Sequence, residues 1–343
     1  PFVRPEGEMK TRCNEIFSIQ VGGLATRLYH TGIQKAVVGI SGGLDSTLAL
    51  LVMVKTFDKL GLPRKNIVGI TMPGFGTTGR TYHNSLNMMK SLGISIKEVD
   101  IKPACLQHLK DLDHDLSVLD VTYENTQARE RTQILMDYAN KIGGLVVGTG
   151  DLSELVLGWA TYNGDHMSMY AVNTSIPKTL VRYLVEYDAL YEMDEAAKET
   201  LLDVCDTPVS PELLPADDKG EIAQKTEDLV GPYELHDFFI YYTLRFGLSP
   251  TKIYFMARKA FEGKYDNATI LKWMRTFYWR FFAQQCKRSC MPDGPKVGSV
   301  NLSPRGDWRM PSDASSKIWI EEVERLTKKY IIILKMKKSV YEL

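Results

Sequence analysis

Residues 36–47 read Ala36-Val37-Val38-Gly39-Ile40-Ser41-Gly42-Gly43-Leu44-Asp45-Ser46-Thr47. The stretch starts as a continuous apolar run, turns on two adjacent glycines and continues with helical spacing from Ser46 to Phe57. A short, continuously apolar run is typical of a strand buried on both faces, as in a parallel sheet covered by helices. This stretch therefore predicts the first strand, turn and helix of an α/β domain.

Three further strand candidates alternate with helical segments. The candidates are Ile67 to Met72, Ile94 to Val99 and Leu145 to Gly148, with helical spacing over Thr81 to Leu92 and Asn125 to Ile142. The alternation predicts a doubly wound parallel sheet over about residues 20–190. Three helical patterns then dominate the second half, over Glu234 to Phe246, Ser249 to Phe261 (with Ser249 as the N-cap) and Ala268 to Arg288.

The glycine turn has the chemistry of a phosphate site. Two glycines let the backbone bring its N–H groups close to a ligand, and the helix that follows adds free N–H donors and the positive end of its dipole. Hydroxyls at Ser41, Ser46 and Thr47 are further donors, and Asp45 is a carboxylate able to hold Mg²⁺. The turn therefore predicts a site for a pyrophosphate or triphosphate with its metal ion.

Other classes of glycine turn fit less well. A Walker A loop needs G-x-x-x-x-G-K-[ST] and a dinucleotide fingerprint needs G-x-G-x-x-G, and neither spacing is present. Gly39-x-Ser41-x-Gly43 matches the nucleophile elbow of α/β hydrolases, but several strands precede that elbow in hydrolases and only about 35 residues do here. A glycine turn without a ligand is the remaining alternative.

Composition excludes some classes of function. The 343 residues carry 42 Lys plus Arg and 42 Asp plus Glu, and this zero balance argues against a nucleic-acid-binding protein. No apolar run is long enough to span a membrane. The five cysteines are an odd number without a C-x-x-C pair, which is typical of reduced thiols and predicts a cytoplasmic protein.

Ser41-Gly42-Gly43-Leu44-Asp45-Ser46 resembles the SGGxDS loop of the N-type ATP pyrophosphatases, which have an adenine nucleotide alpha hydrolase-like fold. Further stretches narrow the resemblance to NAD synthetases, in particular to the synthetase part of glutamine-dependent enzymes. These stretches are Val121 to Arg129, Gly148 to Glu154, Leu157 to Tyr162, Ile176 to Thr179, Ser210 to Leu213, Gly231 to Leu235, Lys287 to Ser289 and Ser303 to Trp308. They follow one another in order over about residues 1–325.

The resemblance implies a C–N ligase that amidates deamido-NAD with ammonia. ATP adenylates the nicotinate carboxylate and releases pyrophosphate, and ammonia then displaces AMP. The implied ATP-binding residues are Gly39, Ile40, Ser41, Gly42, Gly43, Leu44, Asp45, Ser46, Thr149, Lys178 and Ser210. Asp45 and Glu154 would hold Mg²⁺, and Asp45 and Lys178 would be catalytic, with Lys178 a mobile charge for the leaving pyrophosphate.

The resemblance also implies a deamido-NAD site, formed by Asn125, Arg129, Glu154, Trp159, Ala160, Thr161, Tyr162 and Lys287. Each position also has an ordinary structural explanation. Asn125 could be a helix cap, Trp159 and Tyr162 could be core residues, and Lys287 could be favourable simply because it lies near a helix end.

The implied organisation is an ATP-pyrophosphatase core over residues 1–205, a mobile loop over the phosphates at 206–232, a helical extension at 233–325 and a tail at 326–343. Glutamine-dependent relatives resemble fusions with an N-terminal glutaminase, so we expect that domain on the full-length chain, and a homodimer or larger homo-oligomer. Two alternatives stay open: another amidating pyrophosphatase such as a GMP synthetase, which should not share Leu157 to Tyr162, and a non-enzymatic nucleotide-binding relative.

Overall fold

A computed structural model describes residues 1–3, 9–77, 79–207, 213–215 and 226–341. The described residues form a five-stranded parallel sheet in the order β3-β2-β1-β4-β5. Its strands are β1 (Ala36–Gly39), β2 (Ile67–Thr71), β3 (Ser95–Glu98), β4 (Leu145–Gly148) and β5 (Tyr170–Ala171). The doubly wound parallel sheet expected from the sequence is confirmed, with β5 as a short additional strand.

Helices cover both faces of the sheet. Those of the core are α1 (Met9–Thr31), α2 (Leu44–Leu60), α3 (Gly79–Ser91), α4 (Lys102–Asp111), α5 (Val121–Ile142), α6 (Leu152–Leu157), α7 (Lys178–Tyr191) and α8 (Glu195–Asp206). Neighbouring residues of β1 point to opposite faces, so that Val38 joins a core with α1, α2 and α7 while Val37 joins a second core with α4 and α5. In this way the continuous apolar run at 36–40 supplies both cores.

The C-terminal helices form a third apolar cluster together with α6. They are α9 (Thr226–Val230), α10 (Tyr233–Phe246), α11 (Pro250–Ala260), α12 (Asn267–Ala283), α13 (Gln285–Ser289) and α14 (Lys317–Tyr341). Residues 326–341, which the sequence analysis assigned to a tail, continue α14. α9 forms the end of the stretch expected to be a loop over the phosphates. Among the described residues, no helix is long and apolar enough to span a membrane.

One helix end differs from the sequence prediction and another agrees with it. The helix expected over 268–288 is interrupted at Gln284, where the side chain of Arg288 turns back and donates to the carbonyl of Phe281. Ser249 is the N-cap of α11, as the sequence predicts, but its side chain makes no capping hydrogen bond. Instead, Glu322 of α14 accepts the backbone N–H of Thr251 at 2.8 Å, a contact between residues 71 positions apart.

His236 on α10 is fully buried against Phe239, Trp273 and Phe277, and its Nε2 lies 2.7 Å from the carbonyl of Val230. Burial lowers the pKa of His236 to about 4, against an ordinary value of 6.5. Below pH 6.5 the unfolded chain binds a proton that the folded protein excludes, so stability falls as the pH falls from 6.5 towards 4. We expect this group to remove about 2 kcal/mol of unfolding free energy between pH 7 and pH 5.

Urea denaturation at several pH values checks this expectation. His236→Gln should lose about 2 kcal/mol less than the wild type over the same pH interval. His108→Gln, at an exposed position of α4, is the control for the same change of residue type. An equally steep loss of stability in His236→Gln would contradict the prediction.

Candidate active site

The order of the strands brings two loops together at one edge of the sheet. β2 and β3 lie on one side of β1 while β4 and β5 lie on the other, so the chain reverses its direction of winding between β1 and β4. Ligands of doubly wound sheets bind at the carboxyl ends of strands at such a reversal. Asn173 links the two loops here, because its Nδ2 donates to the carbonyls of Asp45 at 3.0 Å and Thr149 at 3.1 Å.

The glycine turn lies directly after β1 and forms the start of α2. Gly42 has φ +86°, and a Cβ built there would lie 2.1 Å from the carbonyl oxygen of Thr81, so only glycine fits. Ser41 Oγ accepts the N–H of Gly43 at 3.2 Å and lies 3.2 Å from Ser46 Oγ. The hydroxyls thus brace the turn at the start of α2.

Three carboxylates meet one lysine beside this turn. Lys178 Nζ, at the start of α7, lies 2.5 Å from Asp45 Oδ2, 2.8 Å from Asp151 Oδ2 and 3.0 Å from Glu154 Oε1. One oxygen from each carboxylate lies within 4.8 Å of the others, the only such group of three or more potential ligands in the part of the chain that the structure describes. The second oxygen of Asp45 is buried without a hydrogen-bond partner. Hard oxygen donors at this spacing fit a small divalent cation.

Electrostatics in the cluster follow from burial and from charge. Burial alone would lower the pKa of Lys178, but the three carboxylates outweigh it and raise the pKa well above its ordinary value. Burial raises the pKa of Glu154 to about 7; Lys178 opposes that rise and the Asp45 carboxylate adds to it. Asp45 and Glu154 keep 21% and 23% of their side chains exposed, whereas Asp151 is fully buried. Two of the three carboxylates can therefore be reached from solvent.

Buried hydrogen bonds hold Lys178 and Glu154 in place. Asp151 is the N-cap of α6 and accepts the N–H of Glu154 at 2.8 Å. Ser153 accepts the N–H of Lys178 at 2.8 Å and donates to Asp237, which also accepts the hydroxyl of Thr179 at 2.7 Å. The helices α6, α7 and α10 are thereby tied together directly beneath the carboxylates.

Two arginine side chains fix the C-terminal end of α6. Arg288 is fully buried and donates to the carbonyls of Leu155 and Val156, each at 3.0 Å. Arg280 donates to the carbonyl of Leu157 at 2.8 Å. These are carbonyls that the helix end leaves without partners, and positive charge is favourable at this end of the helix dipole. The short helix that carries Glu154 is therefore held at both ends.

A pocket adjoins Glu154. Its lining includes Gly150, Glu154, Ala160, Asp165, His166 and Lys287. Lys287 Nζ donates to the carbonyls of Gly158 at 2.8 Å and Ala160 at 2.5 Å, which shapes one wall. The lining thus combines glycines with carboxyl groups and a lysine beside the carboxylate cluster.

Of the residues assigned to the dinucleotide, Glu154, Ala160 and Lys287 line this pocket. Asn125 accepts the hydroxyl of Thr161 at 2.7 Å, and Arg129 donates to the carbonyl of Tyr162 at 3.3 Å. Asn125 is not a helix cap, because Asp120 caps α5. Tyr162 is 45% exposed, whereas Trp159 packs against the C-terminal cluster with Arg280 over its ring.

Four further residues are assigned to the ATP site but are not members of the carboxylate cluster. Ile40 and Leu44 are buried, so only their backbone can face a ligand. Thr149 lies at the end of β4, in the loop that Asn173 joins to Asp45. Ser210 lies outside the described residues.

Sequence reasoning missed several residues of the site. Asp151 had a usable signal, because Asp151-Leu152-Ser153-Glu154 after a strand is the spacing of a capping box. Asn173, Asp237 and Arg288 had none, since their partners lie far away along the chain.

Comparison with known proteins identifies the family of this sequence. The sequence model of the NAD synthase family matches residues 17–193. A glutamine-dependent NAD(+) synthetase of Mycobacterium leprae is 43% identical over 350 residues, which cover 95% of this chain and 51% of that protein. An NH(3)-dependent NAD(+) synthetase of Pyrobaculum aerophilum is 33% identical over 224 residues, covering 65% of this chain and 76% of that protein.

Solved structures support the same fold. The crystal structure of a glutamine-dependent NAD(+) synthetase from Cytophaga hutchinsonii superimposes with a TM-score of 0.74 at 18% identity, covering 91% of this chain and 56% of that one. The chain spans about half the length of the glutamine-dependent relatives it matches.

Proposed function

The chain belongs to the NAD synthase family, and we propose that it is the synthetase part of a glutamine-dependent NAD⁺ synthetase. It would convert deamido-NAD, ATP and ammonia to NAD⁺, AMP and pyrophosphate. The observation that carries this proposal is the meeting of Asp45, Glu154 and Lys178 beside the glycine turn and next to the pocket that Glu154 and Lys287 line. Binding that only positions a nucleotide needs no such buried cluster of charges.

The glycine turn would bind the phosphates of ATP. Backbone N–H groups at the start of α2 and the hydroxyls of Ser41 and Ser46 would supply neutral donors, whereas the N–H groups of Ile40 and Gly43 already have partners within the protein. Lys178 would supply a positive charge for the departing pyrophosphate. Thr149 would contact the adenosine, and Ser210 would approach the phosphates from the loop at 206–232. These last two roles rest on the family resemblance.

The carboxylate cluster fits Mg²⁺, with Asp45 and Glu154 as the accessible ligands. When bound there, Mg²⁺ would neutralise phosphate charge during adenylation. Asp151 is fully buried and already caps α6, and burial raises the pKa of its carboxyl well above the ordinary value. The chain's own residues thus place three carboxyl groups around one lysine.

The pocket would hold the nicotinate end of deamido-NAD. Lys287 and Arg129 add positive charge for an anionic dinucleotide, and the exposed ring of Tyr162 offers a stacking surface. Trp159, Ala160 and Thr161 shape the rim, and Asn125 fixes Thr161. A nicotinate carboxylate oxygen would attack the α-phosphorus of ATP as the bond to pyrophosphate breaks. Ammonia would then attack the acyl carbon and AMP would leave.

The cellular setting is also a proposal. All five cysteines lie among the described residues and are free thiols, which favours a cytoplasmic location. The relatives that share half their length with this chain are named glutamine-dependent, which supports a glutaminase domain as the source of ammonia. We propose a homodimer or larger homo-oligomer, which light scattering of the purified protein would test.

The function is tested by NAD⁺ formation from deamido-NAD, ATP and Mg²⁺ with either ammonium or glutamine. The 343-residue polypeptide should form NAD⁺ with ammonium and none with glutamine. Failure with ammonium, in a protein that binds ATP, would overturn the proposal and favour a different carboxylate substrate or a non-enzymatic role.

A glycine exchange tests the phosphate site separately. Gly42→Ala places a Cβ 2.1 Å from the carbonyl oxygen of Thr81, so the turn must move. We expect ATP affinity, measured by calorimetry, to fall roughly tenfold or more. Gly61→Ala is the matched control, because Gly61 also has positive φ (+66°) but nothing lies within 4 Å of the added Cβ. It should cost about 1 kcal/mol of stability and leave ATP affinity unchanged; equal ATP affinities in the two variants would refute the assignment.

A further inference from the structure

Lys178 occupies the centre of the carboxylate cluster that fits a divalent cation. We propose that the Lys178 ammonium and the divalent cation exchange at the same carboxylate oxygens, and that Asp151 is a positioning residue that helps to hold the ammonium there when the cation is not bound. This inference depends on the proposed function in one respect: once the cation has displaced the ammonium, the phosphates bound at the glycine turn would be its new partner.

The geometry makes simultaneous occupancy unfavourable. Nζ lies 2.5–3.0 Å from one oxygen of each carboxylate, and these oxygens lie within 4.8 Å of one another. A small divalent cation needs such oxygens at about 2.1 Å, which places it near the position that the ammonium nitrogen now fills. Two positive centres so close together would repel each other strongly in a buried site.

Asp151 differs from its two neighbours in a way that suits a resting partner. Its side chain is fully buried, and one oxygen is committed to the N–H of Glu154 at 2.8 Å. The other oxygen lies 2.8 Å from Nζ as an ion pair and has no hydrogen-bond partner, whereas Nζ donates to Asp45 and Glu154. Asp45 and Glu154 remain partly exposed and can turn to an incoming cation.

The buried ammonium of Lys178 needs another anion before it can leave the carboxylates. Only 5% of its side chain is exposed, and the ring of Tyr233 lies 5.4 Å from Nζ. Leaving the carboxylates costs the ammonium its ion pairs unless an anion accepts it. An anion on the glycine turn would therefore favour cation binding, and by reciprocity the cation would favour the anion.

The first test measures Mn²⁺ affinity by electron paramagnetic resonance, without nucleotide. Lys178→Gln removes the competing ammonium, and it should bind Mn²⁺ roughly tenfold or more tightly than the wild type. Lys55→Gln is the matched control, because Lys55 pairs with the fully buried Asp188 at 2.7 Å in another part of the core. It should leave Mn²⁺ affinity unchanged. Equal or weaker binding by Lys178→Gln would overturn the exchange.

The second test needs no change at Lys178, in case that variant fails to fold. Nitrogen-15 NMR of lysine ammonium groups in the wild type should show a protected Nζ signal for Lys178, which saturating Mg²⁺ abolishes. In Asp151→Asn, whose amide oxygen can still cap α6, the same signal should exchange faster with solvent without Mg²⁺, because only Asp45 and Glu154 then hold the ammonium. Persistence of the signal at saturating Mg²⁺ would show that cation and ammonium coexist, and an unchanged exchange rate in Asp151→Asn would remove Asp151 from the proposal.

Neither measurement involves deamido-NAD or NAD⁺. If the protein forms NAD⁺ but keeps its Lys178 signal in Mg²⁺, the proposed function stands and the exchange is contradicted. If the protein shows the exchange but forms no NAD⁺, the exchange stands and the proposed function is contradicted.

Discussion

Asp45→Asn should lower the rate of NAD⁺ formation at least roughly a thousandfold, with the fold intact. Asp45 lies in the first turn of α2, between the phosphate turn and Lys178. The amide keeps the size of the carboxylate but removes the charge that a cation and Lys178 both require. Asp151 and Glu154 still pair with Lys178, so the lysine is not left buried alone. Pyrophosphate release from ATP in the presence of deamido-NAD measures the effect.

Asp58→Asn is the control from the same helix. Asp58 lies at the opposite end of α2, is 45% exposed and pairs with Arg64. An exposed pair contributes at most about 1 kcal/mol, so activity and urea midpoint should stay near those of the wild type. Near-normal pyrophosphate release by Asp45→Asn would remove Asp45 from the reaction.

The parts of the site that lie close together in sequence were predictable. The turn from Gly39 to Ser46 has a fixed local geometry, since the glycines, the hydroxyls and the start of α2 are neighbours along the chain. The position of Glu154 after β4 follows from the alternation of strands and helices. The edge of the sheet at which these loops meet was therefore accessible from pattern alone.

Contacts across long separations were not predictable from pattern. Lys178 is 133 positions from Asp45, and only the family resemblance placed the two together. Asp237 accepts its hydrogen bonds from Ser153 and Thr179, on two other helices, and nothing near Asp237 in sequence indicates this. Such side chains look like ordinary polar positions of amphipathic helices until the fold packs those helices together.

Pattern also misjudged short and terminal elements. β5 has only two residues, too few for a periodic signal. Residues 326–341 were assigned to a tail because they match no motif, but Leu326 and Tyr330 pack against the C-terminal cluster as part of α14. Tertiary packing decides such segments more than local sequence does.

Arg288 is the clearest case of a buried support whose partners the local sequence pattern does not indicate. It is fully buried, and none of the ion pairs found among the described residues includes it. Instead, it donates to the carbonyls of Leu155, Val156 and Phe281 and to the amide oxygen of Gln285. Burial lowers its pKa to about 10, so it remains charged at neutral pH. One guanidinium therefore replaces the missing helix bonds at the ends of both α6 and α12.

Arg288→Met should lower the unfolding free energy by about 3 kcal/mol, because it leaves buried carbonyls at two helix ends without donors. The variant no longer buries a guanidinium charge, which offsets part of this cost. Each carbonyl that loses its donor is still buried away from water and therefore still costs free energy. Arg275→Met removes an exposed arginine that pairs with Glu324, and it should change stability by less than about 1 kcal/mol. Urea denaturation compares the two variants.

α6 and its N-cap carry Glu154 and Asp151. We therefore expect the folded Arg288→Met variant, measured without urea, to bind Mn²⁺ more weakly than the wild type. Arg288→Lys retains a charge and some of the donors, so its stability and Mn²⁺ affinity should both lie between those of the wild type and Arg288→Met. A purely structural support would lower stability and leave the Mn²⁺ affinity of the folded protein unchanged. A graded loss of both quantities would place Arg288 among the residues that position Glu154, although its guanidinium touches no reacting atom.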